Sequence, residues 1–194
     1  MKNKLTSEKS SQKVAKFLEK NALHKKDFAE MIGVTLSYVY NLIDETIPFS
    51  TRSTTLERIA TVMDIEPEEF EEYKIPQEPI LKDDTIELLK SMLHEKKMSI
   101  VNFLKAFPRK KRVEIVDMLR GTYPIPIDFK ELSMIGQILD LDKNDIYNIW
   151  EERIKQVLET NGMNLNNNAA LINAMFDCAR KSLRKVSLFF RKNS

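Results

Sequence analysis

Two stretches of this chain carry the same apolar series. Leu23, Phe28, Ile32, Pro48, Leu56, Ile59, Ala60, Met63, Asp64, Ile65 and Phe70 form the first. Met98, Phe103, Phe107, Pro124, Leu132, Ile135, Gly136, Leu139, Asp140, Leu141 and Ile146 form the second. The offset is 75 residues from Phe28 to Phe103 and 76 from Pro48 to Pro124, so the second stretch holds one inserted residue near its middle. A periodicity of this length marks one small structural unit written twice, and a unit must bury its apolar positions against something. Spacings of three and four within each series are those of amphipathic helices. With only four glycines and 31% charged residues in 194, the expectation is an all-α chain of two tandem five-helix units. The expected divisions are 1–78, 79–160 and 161–194, the last a linker followed by a C-terminal helix.

Local signals place the helices of the first unit. Ser10 or Ser11 is a candidate N-cap for a helix carrying Val14, Phe17 and Leu18. Lys25 to Met31 forms a short second helix that Gly33 ends, because glycine accepts positive φ at little steric cost. Thr35 caps a third helix with Val39, Leu42 and Ile43 inward. Thr54 with Glu57 reads as a capping box for a fourth. Pro67 suits the first position of a fifth, carrying Phe70 and Tyr73. In the second unit, Asp84 with Glu87, Ser99, Asp128 with Glu131, and Asp142 are the corresponding starts. Phe107-Pro108 stands where Ile32-Gly33 stood, and proline cannot supply the positive φ that glycine can.

Charge is segregated although the net formal charge is only +2. Lys2, Lys4, Lys9, Lys13, Lys16, Lys20, Lys25 and Lys26 make the first segment basic. Asp64, Glu66, Glu68, Glu69, Glu71 and Glu72 form an acidic run. Arg109-Lys110-Lys111-Arg112 is a second basic block, and Arg180, Lys181, Arg184, Lys185, Arg191 and Lys192 a third. Such segregation suits a face built for a polyanion and another held away from it, or simply solvated helix surfaces.

The run Leu23-His-Lys-Lys-Asp-Phe-Ala29, then Gly33-Val-Thr35, Val39 and Leu56-x-x-Ile59-Ala60-x-x-Met63-x-Ile65 resembles the phage-repressor (Cro/CI, XRE-type) helix-turn-helix family, over roughly residues 10 to 73. That resemblance implies that the helix from about Thr35 to Ile43 enters the major groove of double-stranded DNA while the helix before it crosses the phosphate backbone. Its outward residues are Leu36, Ser37, Tyr38, Tyr40 and Asn41. Of these, Asn41 suits adenine, Leu36 a thymine methyl and Ser37 a base or a phosphate, with Tyr40 beside them. Lys13, Lys25, Lys26 and Thr35 are the implied phosphate contacts. Arg109, Lys110, Lys111 and Arg112 are a candidate second phosphate contact, since four cations at a helix start combine charge with free backbone N–H groups. The alternative is that the second unit is kept for packing, with its basic block merely solvated. Tyr38 and Tyr40 have their own alternative, packing against the neighbouring loop.

The tail repeats Leu171, Ile172, Met175, Phe176, Ala179, Leu183, Val186 and Phe190 at helical spacing, so its helix must dock, on its own chain or on a second copy as a homodimer. Cys178 falls on that stripe and is expected to be buried and inert. No apolar run approaches the roughly 20 residues that span a bilayer, and the start lacks a signal-peptide core, so a cytoplasmic protein with no membrane partner is expected. His24 and His94 are far apart, and neither metal-ligand spacing, a Gly-rich phosphate loop nor a nucleophile elbow occurs. The expectation is therefore a repressor-like transcriptional regulator that binds specific DNA sequences, without enzymatic activity, cofactor or metal. The alternative is a protein-interaction adaptor on the same fold.

Overall fold

The computed structural model describes residues 9–75, 84–126 and 128–191, with 84–85 and 182–191 described through their backbone alone. Expectations resting on Lys2, Lys4, the boundary between 78 and 79, Lys192, and the side chains of Leu183, Arg184, Lys185, Val186, Phe190 and Arg191 lie outside these residues. The described chain is all-α, with ten α-helices, two 3-10 turns and no strand. None of its helices is long and apolar enough to cross a membrane. It forms two compact units, 1–124 and 125–194. This differs from the expected division, because the helices of the expected second unit are shared between the two bodies.

The first unit holds α1 (Ser10–Lys20), α2 (Lys25–Ile32), α3 (Leu36–Ile43), α4 (Ser53–Met63), a 3-10 turn (Pro67–Glu69), α5 (Asp84–Glu95), α6 (Ile100–Lys105), a second 3-10 turn (Arg109–Lys111) and α7 (Arg112–Leu119). Val14 and Leu18 of α1, Phe28, Met31 and Ile32 of α2, and Leu56, Ile59 and Ala60 of α4 are buried together with Phe70. Gly33 takes φ 73° and lets the Val34 N–H reach the Ala29 carbonyl at 3.0 Å, closing α2 as expected. The Thr35 hydroxyl accepts from the Tyr38 N–H at 3.2 Å and opens α3.

Three local expectations are corrected. Lys9, not a serine, is the N-cap of α1; Ser10 and Ser11 are its first, buried residues, and the Ser10 hydroxyl donates to Glu72. The Thr54–Glu57 capping box does not form, since α4 starts at Ser53 after an Arg52 N-cap and the Glu57 carboxylate is used elsewhere. The fifth helix is only the 3-10 turn Pro67–Glu69. Phe70 turns extended (φ −93°, ψ 124°) so that its ring can drop into the core and stack on Phe49 at 6.0 Å. Packed acidic charge in that segment gives a longer helix no help.

Helices α5 to α7 complete the same body. Ile86, Leu89 and Leu93 face inward while Leu88 stays largely outside, and Phe103 meets Phe107 edge to face at 5.0 Å. α7 buries Ile115, Val116, Met118 and Leu119 and packs against α2 and α4. Charges tie the two sides. Arg58 of α4 donates twice to Asp117 of α7, at 2.7 and 2.6 Å. Arg120 Nη1 donates to the same carboxylate at 2.7 Å, and its Nη2 donates to Glu57. The Tyr73 hydroxyl adds a third donor, to Glu57 at 3.1 Å. Arg120 and Glu57 keep only 7% and 6% of their side-chain exposure. The carboxylate of Asp117 holds the Arg58 guanidinium above its ordinary pKa. Partial burial, then the neighbouring Glu57, push the Tyr73 phenol up to about 12.

The second unit holds α8 (Phe129–Ile138), α9 (Lys143–Thr160) and α10 (Ala169–Arg191). Asp128 and Asp142 cap α8 and α9, each accepting from two backbone N–H groups. Gly136 lets α9 come close: a Cβ there would lie 2.4 Å from Ile146 Cδ1. Phe129, Tyr147, Trp150 and Phe176 form a chain of ring contacts between 5.1 and 6.3 Å. On α10, Ile172 and Phe176 face inward, whereas Leu171 and Met175 are 60% and 55% exposed. Cys178 is exposed, which corrects the expectation of a buried thiol. The reason is geometric. Helical positions turn about 100° per residue, so Cys178, two positions past the inward Phe176, points to the opposite side, and Leu171 and Met175 cannot be buried together with Ile172 and Phe176.

Gly33→Ala should destabilise the protein by more than the roughly 1–2 kcal/mol that a left-handed alanine costs. Its Cβ would also stand 2.6 Å from Val113 Cγ2. Gly162→Ala, with φ 82° and nothing within 4 Å, should show the conformational cost alone. Urea unfolding of the two variants measures the difference. Arg120→Ala should cost about 3–5 kcal/mol by stranding Glu57, and the double change Glu57→Leu with Arg120→Met should restore most of it in the same experiment.

Candidate nucleic-acid interface

α3 is eight residues, LSYVYNLI, and contains no charge. Val39 and Leu42 pin it against α1 and α2. Its outer surface consists of Leu36, Ser37, Tyr40 and Asn41, all exposed. Positions 36, 37, 40 and 41 lie along one face by the helical repeat. At 1.5 Å per residue the helix is about 12 Å long, and like any α-helix it has a diameter, about 10–12 Å, that the major groove admits. Tyr38 does otherwise: its hydroxyl donates to the Ser50 carbonyl at 3.3 Å, so it braces the following loop. Asp44 closes the C-terminal end by accepting from the Thr46 N–H and hydroxyl, which lowers its pKa.

Cations come from outside the helix. The N-terminal end of α2 has no side-chain cap, so its first N–H groups stay open toward an anion. Lys25 and Lys26 are its first two residues, and no carboxylate pairs with either among the described residues. The Lys25 ammonium lies 5.4 Å over the ring of Tyr40, which joins the basic end of α2 to the exposed face of α3. A depression of about 400 Å³ opens here, lined by His24, Lys25, Lys26, Asp27, Leu36, Tyr40 and Arg109.

The structure therefore gathers Lys25, Lys26, Leu36, Tyr40 and Arg109, with Ser37 and Asn41 on the adjoining face. Thr35 sits beside them with its hydroxyl committed to the α3 cap. Lys13 lies apart, donating to the Glu69 carbonyl and resting 5.9 Å above the Phe70 ring. The four residues of the basic block differ in their surroundings. Arg112 is buried and pairs with Asp27 at 3.2 Å and Glu30 at 3.4 Å. Lys111 pairs with Glu114 at 2.8 Å, Arg109 pairs with Glu30 at 3.4 Å, and Lys110 is exposed. The acidic partners Asp27 and Glu30 went unread in the sequence. Their signal was a spacing of three on α2 that matches the spacing of three between Arg109 and Arg112.

A second, larger hollow of about 860 Å³ in this unit is rimmed by Asp64, Glu66, Glu68, Glu69 and Glu87, with Glu57, Tyr73 and Arg120 also in its lining. Among the described residues, no group of three or more His, Cys, Asp or Glu side chains is arranged to hold a metal ion.

Comparison with protein-family models, curated proteins and solved structures found no match to this chain.

Thr35→Ala should lower stability by about 0.5–2 kcal/mol through loss of the α3 cap, read from the urea midpoint at unchanged slope.

Proposed function

We propose that this chain is a double-stranded DNA-binding protein of repressor-like character, an intracellular transcriptional regulator rather than an enzyme. The observation that carries this reading is the uncharged, exposed face of α3 set beside Lys25 and Lys26, which pair with no carboxylate among the described residues. Base edges call for neutral polar and apolar groups, and phosphates call for cations; these two needs are divided here between neighbouring elements. Asn41 would offer paired hydrogen bonds to adenine, Ser37 one to a base or phosphate, and Leu36 contact with a thymine methyl. Tyr40, held under Lys25, would give the edge of the groove an aromatic surface.

In the duplicated-unit reading, α7 is the counterpart of α3. Its apolar side is buried against α2 and α4, and Arg112 is enclosed. Base reading would then rest with α3 alone. A single short helix reads few base pairs, and a second copy of the chain would supply the rest. The exposed Leu171, Met175 and Cys178 of α10 support homodimer formation through that helix.

A second reading is favoured by the acid-rimmed hollow, whose charge suits a basic peptide segment and hence an adaptor. The two readings respond differently to salt and to sequence. Selection of the purified chain against a random duplex library at near-physiological salt should enrich one motif. Asn41→Ala should then relax one base position at a cost of roughly 1–3 kcal/mol. Retention without enrichment would leave backbone binding only, and no retention would favour the adaptor.

A further inference from the structure

Arg109 is delivered to the basic end of α2 by an element that lies 84 residues further along the chain than Lys25. It belongs to the 3-10 turn that leads into α7, and this turn lies against α2. Two arginines three positions apart meet two carboxylates three positions apart, and their situations differ. The Arg112 side chain is only 9% exposed, donates from Nε to the Phe107 carbonyl at 3.3 Å, and pairs with both Asp27 and Glu30. Arg109 is 60% exposed and pairs with Glu30, Nε to carboxylate oxygen, at 3.4 Å. The enclosed Arg112 holds both carboxylates and balances one of their two charges, and the more exposed Arg109 guanidinium is the cation able to exchange partners. Lys25, Lys26, Arg109 and Arg112 against Asp27 and Glu30 leave the depression positively charged. The open N–H groups of α2 add to that field.

We infer that Arg109 completes a composite oxyanion site with Lys25, Lys26 and the N-terminal end of α2, and that its ligand is one phosphodiester group of a DNA backbone. This inference rests on the DNA-binding reading above. On binding, Arg109 leaves Glu30 for the phosphate, while Glu30 keeps Arg112. The basic block thus adds one residue to the first backbone contact and does not make a second contact elsewhere. Free inorganic phosphate is the other source of the same chemistry.

Single neutral methylphosphonate linkages, stepped along a duplex that the full chain binds, test this by fluorescence anisotropy. One linkage should weaken the wild-type chain several-fold. Arg109→Ala and Lys26→Ala should each weaken binding to the unmodified duplex, and both should lose their effect on the duplex neutralised at that same linkage. Arg109→Gln, with melting followed by circular dichroism, checks that any loss comes from the missing charge and not from unfolding. If Arg109→Ala keeps its full effect at the linkage that silences Lys26→Ala, or has no effect while Lys26→Ala does, the composite site is overturned and the DNA-binding reading stands. If the wild-type chain binds no duplex, the DNA-binding reading itself fails. Saturable binding of inorganic phosphate, lost in both variants, would then assign the site to the free anion. Absence of that as well would overturn it.

Discussion

Asp117 is held by two arginines, Arg58 from α4 and Arg120 from the C-cap of its own helix, and Arg120 reaches on to Glu57. This alternating chain of four charges stands where the expected first and second units meet. Taking such groups out of water is costly, and the cost is offset only when the geometry satisfies several hydrogen bonds at once. Here Asp117 accepts from three guanidinium N–H groups and Glu57 from Arg120 and Tyr73. Such a network contributes little to net stability, but it admits one arrangement of α7 on α4 in a way that apolar contact does not. Since α4 also packs on α2, and α2 on α3, the position of the exposed helix depends on it.

A second charged contact works beside the first. Arg112 locks α7 to Asp27 and Glu30 on α2, so α7 is fastened to α2, one of the two helices that support α3, as well as to α4. The region that the sequence presents as an independent repeat is thereby divided, with α5 to α7 in one body and α8 with α9 and α10 in another. Packing of α7 accounts for the division. Ile115, Val116, Met118 and Leu119 find cover within residues 1–124, and the helices after Pro124 make their own aromatic core.

What could be read in advance was what neighbouring residues decide. Gly33, Thr35, Ser99, Asp128 and Asp142 mark helix ends through bonds to groups within five residues, and each stands as expected. The shared apolar series was equally legible: Phe28, Ile32, Leu56, Ile59 and Phe70 are buried, as are Phe103, Phe107, Leu132, Ile135 and Leu139. The errors fall where a distant partner outbids a local one. Glu57 looks like the third residue of a capping box until Arg120, 63 positions on, takes its carboxylate. Arg112 reads as one more cation of a basic run until Asp27 and Glu30 arrive from α2 and enclose it, while Arg109 and Lys110 stay exposed. The exposure of Leu36, Ser37, Tyr40 and Asn41 follows from helical spacing alone, whereas the bond from Lys13 to the Glu69 carbonyl and its place over the Phe70 ring depend on residues more than fifty positions away.

The contact at Gly33 links the two ends of this first body through evolution as well as through space. The residue whose φ favours glycine also has the methyl of Val113 resting where a side chain would begin. A lineage could replace Gly33 with asparagine, which tolerates the left-handed conformation, only after position 113 had shrunk to alanine or glycine. Position 113 in turn cannot grow while α7 keeps its seat on α2. The two positions therefore form a ratchet, each closing off changes at the other, and the turn before α3 can drift only along paths that α7 permits.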